Sequence, residues 1–366
     1  MIRDTHQQSC RYRSRHLSQP TQLISLATAV PAHILRQDEV AQVTREMFGT
    51  RYAAFDRMAT VFQTAGIEKR HAARPIAWYG QPQGWKERTA AYLEVAHDLF
   101  VAAATKALAA AALTARDVDV VVTVSSTGIA TPSLEARASK AMGFRDDIQR
   151  VPVFGLGCAG GVSGLAIASR LAKAQPGANV LLVVVELCTL AFRSDQLTKA
   201  NIVACALFGD GAAACILRAG EGGLAEIEAA GEHTWPDTLD IMGWDLDGQG
   251  FEVIFAQAIP SFAEANMAPA MTGILKRFDI RMEAVDRFIC HPGGTKVVIA
   301  LEQALGLAPG ALDHERDVLR DYGNMSAPTV LFVLERMLRA GLPPRSVLTA
   351  MGPGFSVSCV SLKRPA

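Results

Sequence analysis

The stretch VPVFGLGCAGGVSGLAIASRLAKA, residues 151–174, contains the strongest local signal in the chain. It places Cys158 between a strand-like run and an amphipathic helical segment, with glycines on both sides. The glycines permit a sharp turn and the close approach of a substrate, and the start of a helix favours a thiolate over a thiol. This environment is typical of a nucleophile, although a cysteine taken alone is more often packed in the core.

On either side of this stretch, apolar runs of strand length alternate with alanine- and leucine-rich segments of helical spacing. The apolar runs predict strands at residues 118–124, 179–186, 287–291 and 346–352. The segments with helical spacing lie at residues 92–113, 159–174, 261–278, 295–305 and 327–340. Such alternation predicts an α/β fold in layers, with a mostly buried sheet.

Two further stretches indicate the domain organisation. Residues 1–20 are polar and Arg-rich and lack the apolar segment of a secretory signal, so we expect a disordered tail. The Gly-rich, charged stretch AGEGGL at residues 219–224 is the best internal boundary. It predicts an N-terminal half at residues 21–222, which contains Cys158, and a C-terminal half at residues 223–366.

Composition narrows the class of protein. The 366 residues include 36 basic and 36 acidic side chains, so no net charge attracts nucleic acid or an anionic membrane. The longest apolar stretch, residues 179–192, contains Glu186 and is shorter than the about 20 residues that span a bilayer. The seven cysteines lack the paired spacing of metal ligands. We therefore expect a cytoplasmic enzyme with free thiols, no membrane span and no metal site.

Two polar residues occupy positions typical of active sites. His291 follows a predicted strand and precedes Pro-Gly-Gly, and α/β enzymes place their sites at strand ends. Asn324 lies in DYGNMSAPTV, where alone it would be interpreted as the N-cap of the next helix. The glycine clusters at residues 207–215 and 350–356 lack the layouts that bind dinucleotides or nucleoside phosphates, so NAD and ATP are not expected.

Five motifs in this order resemble the type III polyketide synthases, relatives of the chalcone and stilbene synthases: GCAGG at Cys158, LFGDGAA at Phe208, HPGG at His291, GNMSAP at Asn324 and MGPGF at Gly352. The resemblance extends from about residue 21 to the C-terminus, and residues 234–260 resemble the bacterial alkylresorcinol and alkylpyrone synthases. It implies a thiolase fold, in which two similar halves form a five-layered αβαβα core, and a homodimer.

The resemblance also implies roles for individual residues. Cys158, His291 and Asn324 match the catalytic triad. Phe208 matches one of two phenylalanines between the CoA tunnel and the initiation cavity, and Val253 stands where the second would be. Further matches are substrate-binding positions around the cavity, namely Cys188, Ala191, Ser326 beside the nucleophile, Thr131 directed at the partner's cavity, and the turn formed by Gly352, Pro353, Gly354 and Phe355. Arg57 matches a CoA contact.

The chemistry implied is a decarboxylative Claisen condensation. Cys158 would carry an acyl-CoA starter, and malonyl-CoA would extend it without a metal or redox cofactor. The small side chains of Ala191 and Val253 leave room for a medium or long fatty acyl starter, which would give an alkylpyrone or alkylresorcinol. Two alternatives stay open: an initiating ketoacyl-ACP synthase, which shares the fold and the triad, and a non-catalytic scaffold with the thiolase fold.

Overall fold

The computed structural model of the protein describes residues 19–365. Its strands are β1 (Thr21–Ala29), β2 (His33–Arg36), β3 (Lys69–Ala72), β4 (Val120–Val124), β5 (Gln149–Val153), β6 (Val180–Leu187), β7 (Asp210–Ala219), β8 (Ala225–Thr234), β9 (Met242–Asp247), β10 (Gly250–Phe255), β11 (Arg287–Cys290), β12 (Arg345–Gly352) and β13 (Ser356–Lys363). The tail predicted at residues 1–20 lies outside the described residues except for its last two positions.

The helices are α1 (Gln37–Phe48), α2 (Phe55–Ala59), α3 (Val61–Thr64), α4 (Ile76–Tyr79), α5 (Trp85–Ala110), α6 (Leu134–Met142), α7 (Gly160–Ala174), α8 (Lys199–Leu207), α9 (Ile259–Lys276), α10 (Thr295–Ala304), α11 (Asp313–Tyr322) and α12 (Thr329–Ala340). Within residues 19–365, no helix is both long and apolar enough to cross a membrane.

A nine-stranded mixed sheet forms the centre of the molecule, in the order β11-β12-β13-β8-β1-β7-β6-β4-β5. The first part of the chain contributes β1 and β4 to β7, and the second part contributes β8 and β11 to β13. The two parts meet where β1 pairs antiparallel with β8 over three residue pairs. Strand β4 runs parallel to β5 and β6, and β11 runs parallel to β12.

Hydrophobic side chains divide the molecule into five layers. Helix α5 covers one face of the first part of the sheet through residues such as Phe100. Helices α7 and α12 lie between the two parts of the sheet, where Leu165 and Leu331 share one buried cluster with strands of both. Helices α9 and α10 cover the far face of the second part through residues such as Met271. This is the five-layered αβαβα core of the thiolase fold, as the resemblance implied.

The observed elements follow the predicted order, with one consequence for the site. The helix predicted from residue 327 begins at Thr329, and Pro328 occupies its N-cap position. Interpreting Asn324 as an N-cap is therefore wrong. Its side chain lies before the helix and is free for other contacts.

Candidate active site

The nucleophile turn is built by close backbone packing. Cys158 lies in a single 3₁₀ turn, Gly157–Ala159, directly before α7. Gly157 has a φ of +47°, in the left-handed region, and a Cβ there would overlap the ring of Pro353. A Cβ at Gly161 would overlap the carbonyl oxygen of Ala327. Glycines are therefore required because the turn is held between the Gly-Pro turn after β12 and the start of α12.

The Cys158 thiol is protonated at neutral pH. The residue is 8% exposed, and burial raises its pKa to about 11. The Ser326 hydroxyl opposes part of this shift, whereas the nearby Glu186 carboxyl adds to it. Burial therefore acts against the thiolate that the helix start was expected to favour, because the anion is removed from water.

The imidazole of His291 is neutral, and its ring nitrogens are available for hydrogen bonds to a substrate. His291 follows β11 directly, and its backbone N–H donates to the carbonyl oxygen of Thr349 at 2.9 Å, which fixes the residue at the strand end. Burial lowers its pKa to about 4. Among residues 19–365, neither ring nitrogen has a hydrogen-bond partner. The ring can therefore accept a proton at one nitrogen and donate one from the other.

Asn324 is held rigidly by its own amide. Its Nδ2 donates to the carbonyl oxygen of Gly293 at 3.1 Å, and its Oδ1 accepts from the backbone N–H of Ser326 at 2.8 Å. The backbone of Asn324 also donates to Leu207 at 2.8 Å and accepts from Gly209 at 3.0 Å. Because Nδ2 carries two hydrogens, one of them remains for a substrate oxygen.

Short contacts bring the three predicted catalytic residues to one place. Gly293, which accepts from Asn324, lies two residues after His291 and donates to its carbonyl oxygen at 3.1 Å. Ser326, which donates to Asn324, is close enough to Cys158 to change the pKa of the thiol. The site thus combines a thiol, a neutral imidazole and an amide N–H, which are the groups that a thioester condensation requires.

Glu186 is a fourth buried group that the sequence analysis did not assign. Its carboxylate accepts hydrogen bonds from the Ser126 backbone N–H at 2.9 Å and from the Thr127 hydroxyl at 2.7 Å. Burial raises the pKa of Glu186 to about 8. When ionised, the Glu186 carboxylate raises the pKa of both Cys158 and Cys188, so it lies near the reacting sulfur. In the sequence, Glu186 could have been recognised as the single carboxylate within the otherwise apolar run VLLVVVEL.

An apolar cavity adjoins this centre. It encloses about 600 Å³ of space, including solvent at its open side, and is bounded by α1, α4, α8, β10 and the 3₁₀ turn Cys188–Ala191. Phe208 connects it to the centre, because its side chain lines the cavity while its backbone bridges to Asn324. Trp244 and Phe255 contact the Phe208 ring edge-on, with ring centroids 6.1 and 6.4 Å apart.

The polar groups along the cavity are engaged with the protein. The Tyr79 hydroxyl lies 2.7 Å from that of Thr189, which in turn bonds the Asp210 carboxylate. Asn201 donates to the backbone carbonyls of Arg193 and Gln196.

The positively charged Arg70 at the cavity is also hydrogen-bonded to the protein. The Arg70 guanidinium donates to the carbonyl oxygens of Cys205, Ala206 and Phe208 at 2.7, 3.0 and 3.1 Å. Its Nε is buried and has no partner within residues 19–365. The surface that the cavity offers to a ligand is therefore apolar.

The remaining predicted residues fall into two groups. Cys188, Ala191, Phe208 and Val253 line the apolar cavity together. Outside it lie the exposed Thr131, in the loop between β4 and α6, the exposed Arg57 in α2, and the turn at Gly352, Pro353, Gly354 and Phe355. Within that turn Gly352 and Pro353 pack on the nucleophile turn, and Phe355 is buried against Trp235 and Phe262.

Two models of one protein family match most of the chain. Residues 8–221 match the model for the N-terminal domain of chalcone and stilbene synthases, and residues 226–364 match the model for their C-terminal domain. The chain belongs to the chalcone and stilbene synthase family. Within this family it is a type III polyketide synthase, an acyl-transferring condensing enzyme.

Individual members of the chalcone and stilbene synthase family resemble the chain over nearly its whole length. The 1,3,6,8-tetrahydroxynaphthalene synthase of Streptomyces peucetius subsp. caesius is 38% identical over 94% of this chain and 93% of that protein. The alpha-pyrone synthesis polyketide synthase-like Pks18 of Mycobacterium tuberculosis (strain ATCC 25618 / H37Rv) is 27% identical over 91% and 88%. The crystal structure of 1,3,6,8-tetrahydroxynaphthalene synthase from Streptomyces coelicolor A3(2), a bacterial type III polyketide synthase, superimposes with a TM-score of 0.89 at 29% identity, covering 94% and 99%.

Proposed function

We propose that this protein loads a medium- or long-chain fatty acyl-CoA onto Cys158, extends it with malonyl-CoA, and closes the product to an alkylpyrone or alkylresorcinol. The apolar cavity beside the triad supports this function, because its buried side-chain nitrogen and oxygen atoms other than the Arg70 Nε are hydrogen-bonded within the protein. Burying an alkyl chain contributes about 0.8 kcal/mol per methylene, so such a cavity favours a long tail over a short one.

Loading requires a proton transfer, because both partners are neutral at pH 7. His291, with its pKa near 4, accepts the thiol proton as the Cys158 sulfur attacks the thioester carbonyl. The bond between the carbonyl carbon and the CoA sulfur then breaks, and the imidazolium returns the proton to the departing CoA thiolate. The acyl group is left as a thioester on Cys158.

Chain extension uses two N–H groups that remain available to the substrate, one on His291 and one on Asn324. The imidazole N–H of His291 and the free N–H of Asn324 hold the thioester oxygen of malonyl-CoA, where negative charge develops as CO₂ leaves. The resulting enolate carbon attacks the acyl thioester, which breaks the bond to the Cys158 sulfur and lengthens the chain by two carbons. Transfer of the chain back to Cys158 permits another round, and no metal or redox cofactor takes part.

A second candidate has support from the relatives. The Streptomyces peucetius relative is named for 1,3,6,8-tetrahydroxynaphthalene, a product without an alkyl tail. The Mycobacterium tuberculosis relative is named for an alpha-pyrone, which is one of the ring types proposed here. A tail-free product would leave the apolar cavity without an occupant, so the fatty acyl starter is preferred.

A direct assay separates these possibilities. Purified protein is incubated with malonyl-CoA and a series of acyl-CoAs from acetyl to octadecanoyl, without carrier protein, and the products are identified by mass spectrometry. We expect pyrones or resorcinols that carry the tail of a medium or long starter. No condensation in this assay, together with condensation in a parallel assay that supplies malonyl-ACP, would support the ketoacyl-ACP synthase instead. A single tail-free product from malonyl-CoA alone would support the tetrahydroxynaphthalene candidate.

The homodimer and the CoA contact belong to the same proposal. Strand β5 lies at the edge of the nine-stranded sheet, and Phe154, directly after it, is 54% exposed. Ile129, in the loop after β4, is an apolar side chain that is 49% exposed. Pairing with a second copy would cover this edge and would bring Thr131 near the partner's cavity. Arg57, exposed on α2, would meet the CoA phosphates. Light scattering should give twice the mass of the chain.

A further inference from the structure

Helix α1 is fixed at both ends and borders the apolar cavity between them. At its start, Gln37 is buried and donates from Nε2 to the carbonyl oxygens of Phe62 and Ala206 at 3.2 and 3.1 Å. At its end, Phe48 is fully buried and contacts the ring of Phe192 edge-on. The helix is therefore a rigid boundary rather than a loose surface segment.

One face of α1 lines the cavity over two helical turns. Val40, Val43, Thr44 and Met47 follow the spacing i, i+3, i+4, i+7, which places them on one side of the helix. The Thr44 hydroxyl donates to the carbonyl oxygen of Val40 at 2.7 Å, so this face offers the cavity no free donor. At a rise of about 1.5 Å per residue, the stripe is roughly 10 Å long.

We propose that this stripe is the wall along which the alkyl tail of the starter lies, and that Val43 and Met47 limit the length of that tail. The inference rests on the proposed fatty acyl starter and adds the residues that select among starters. In this stripe the aliphatic Val40, Val43 and Met47 are half-buried, and Thr44 is buried. The stripe lines the same cavity as Val253 and Phe208. A tail that extends past Phe208 therefore gains apolar contact with α1 as it lengthens.

The test changes the volume of the stripe in opposite directions. Val43→Phe fills the cavity and should lower the preferred chain length, because a packed wall excludes the last methylenes. Val43→Ala and Met47→Ala enlarge it and should raise the preferred length. The matched control is Gln42→Phe, since Gln42 is the adjacent residue on the exposed face of the same helix. The readout is kcat/KM for acyl-CoAs from butanoyl to octadecanoyl, with folding checked by circular dichroism.

The expected change is roughly fourfold in kcat/KM for each methylene gained or lost, which corresponds to about 0.8 kcal/mol per buried CH₂. The wild-type optimum should move down in Val43→Phe, move up in both alanine variants, and stay unchanged in Gln42→Phe. Unchanged optima in all four variants, with a wild-type enzyme that does prefer long starters, would overturn the role of α1 alone. A wild-type enzyme without activity on any long starter would overturn the proposed function as well.

Discussion

The catalytic centre and the apolar cavity are neighbours that are built in opposite ways. In the centre, the ring nitrogens of His291 and one N–H of Asn324 remain uncommitted, although both residues are buried. In the cavity, Tyr79, Asn201 and the terminal nitrogens of Arg70 are bound to other protein groups. Polar atoms therefore remain available for hydrogen bonds where bonds change, and they are bound to the protein where a substrate is only held.

The difference extends to the backbone. The centre depends on glycines at which a Cβ would collide with neighbouring groups, as at Gly161 and Gly352. The cavity wall consists of ordinary side chains on α1, α8 and β10, whose sizes can change without moving the backbone. The centre is therefore fixed by the fold, whereas the cavity can vary between relatives that share the fold.

Removing a donor from the centre should give the largest effect. Asn324→Ala takes away the N–H that meets the malonyl thioester oxygen, and loss of one such donor costs about 3 to 4 kcal/mol, or roughly 100- to 1000-fold in kcat. Because the cavity is untouched, the loss should be equal for short and long starters. Steady-state kinetics across the acyl-CoA series checks this. A loss of activity confined to long starters would show that the catalytic centre and the apolar cavity do not act separately.

The protonation states of Cys158 and His291 predict how the rate of Cys158 alkylation depends on pH, and this effect should be smaller than the loss in Asn324→Ala. Since burial raises the pKa of Cys158 to about 11, its rate of alkylation by iodoacetamide should rise about tenfold per pH unit between pH 6 and 9. Because burial lowers the pKa of His291 to about 4, His291→Ala should leave this profile unchanged. Labelling is followed at the Cys158 peptide, with Cys158→Ser as the blank. A plateau below pH 7 that disappears in His291→Ala would reveal a thiolate–imidazolium pair instead.

Replacing glycine by alanine should change the free energy of unfolding in opposite directions at the nucleophile turn and on the open surface of α9. Gly161→Ala places a Cβ against the Ala327 carbonyl and should lower the free energy of unfolding by about 1 to 3 kcal/mol. Gly273→Ala, in the interior of α9, meets no atom within 4 Å and should raise it by up to about 1 kcal/mol, since alanine is the better helix former. Chemical denaturation measures both variants. Equal effects would show that the nucleophile turn is not tightly packed.

The residues proposed for the centre all lie in short motifs that can be recognised in the sequence. A glycine cluster surrounds Cys158, a predicted strand ends before His291, and a predicted helix follows Asn324; the resemblance to the family then singled out these three residues. Hydrophobic periodicity predicted four of the strands, β4, β6, β11 and β12, and five of the helices, α5, α7, α9, α10 and α12. The N-cap interpretation of Asn324 was wrong because its contacts are long-range, and a short window of sequence does not contain them. Such a window also does not contain the burial that acts against a thiolate at Cys158.

The cavity could be predicted only in part. Ala191 and Val253 were identified by position, but the contributions of Val43, Met47 and Trp244 were not. These residues lie on α1 and β9, far from the motifs in sequence, and their apolar side chains look like those of any amphipathic element. Which apolar residues border empty space is decided by how distant elements pack together.

A fatty acyl chain on Cys158 can be detected directly on the protein. The protein is mixed with dodecanoyl-CoA in the absence of malonyl-CoA, digested, and analysed by peptide mass spectrometry, with Cys158→Ala as the control. We predict a dodecanoyl thioester on the Cys158 peptide of the wild type and none in the variant. Acylation at Cys188 or Cys205 instead, or no acylation at all, would contradict the account.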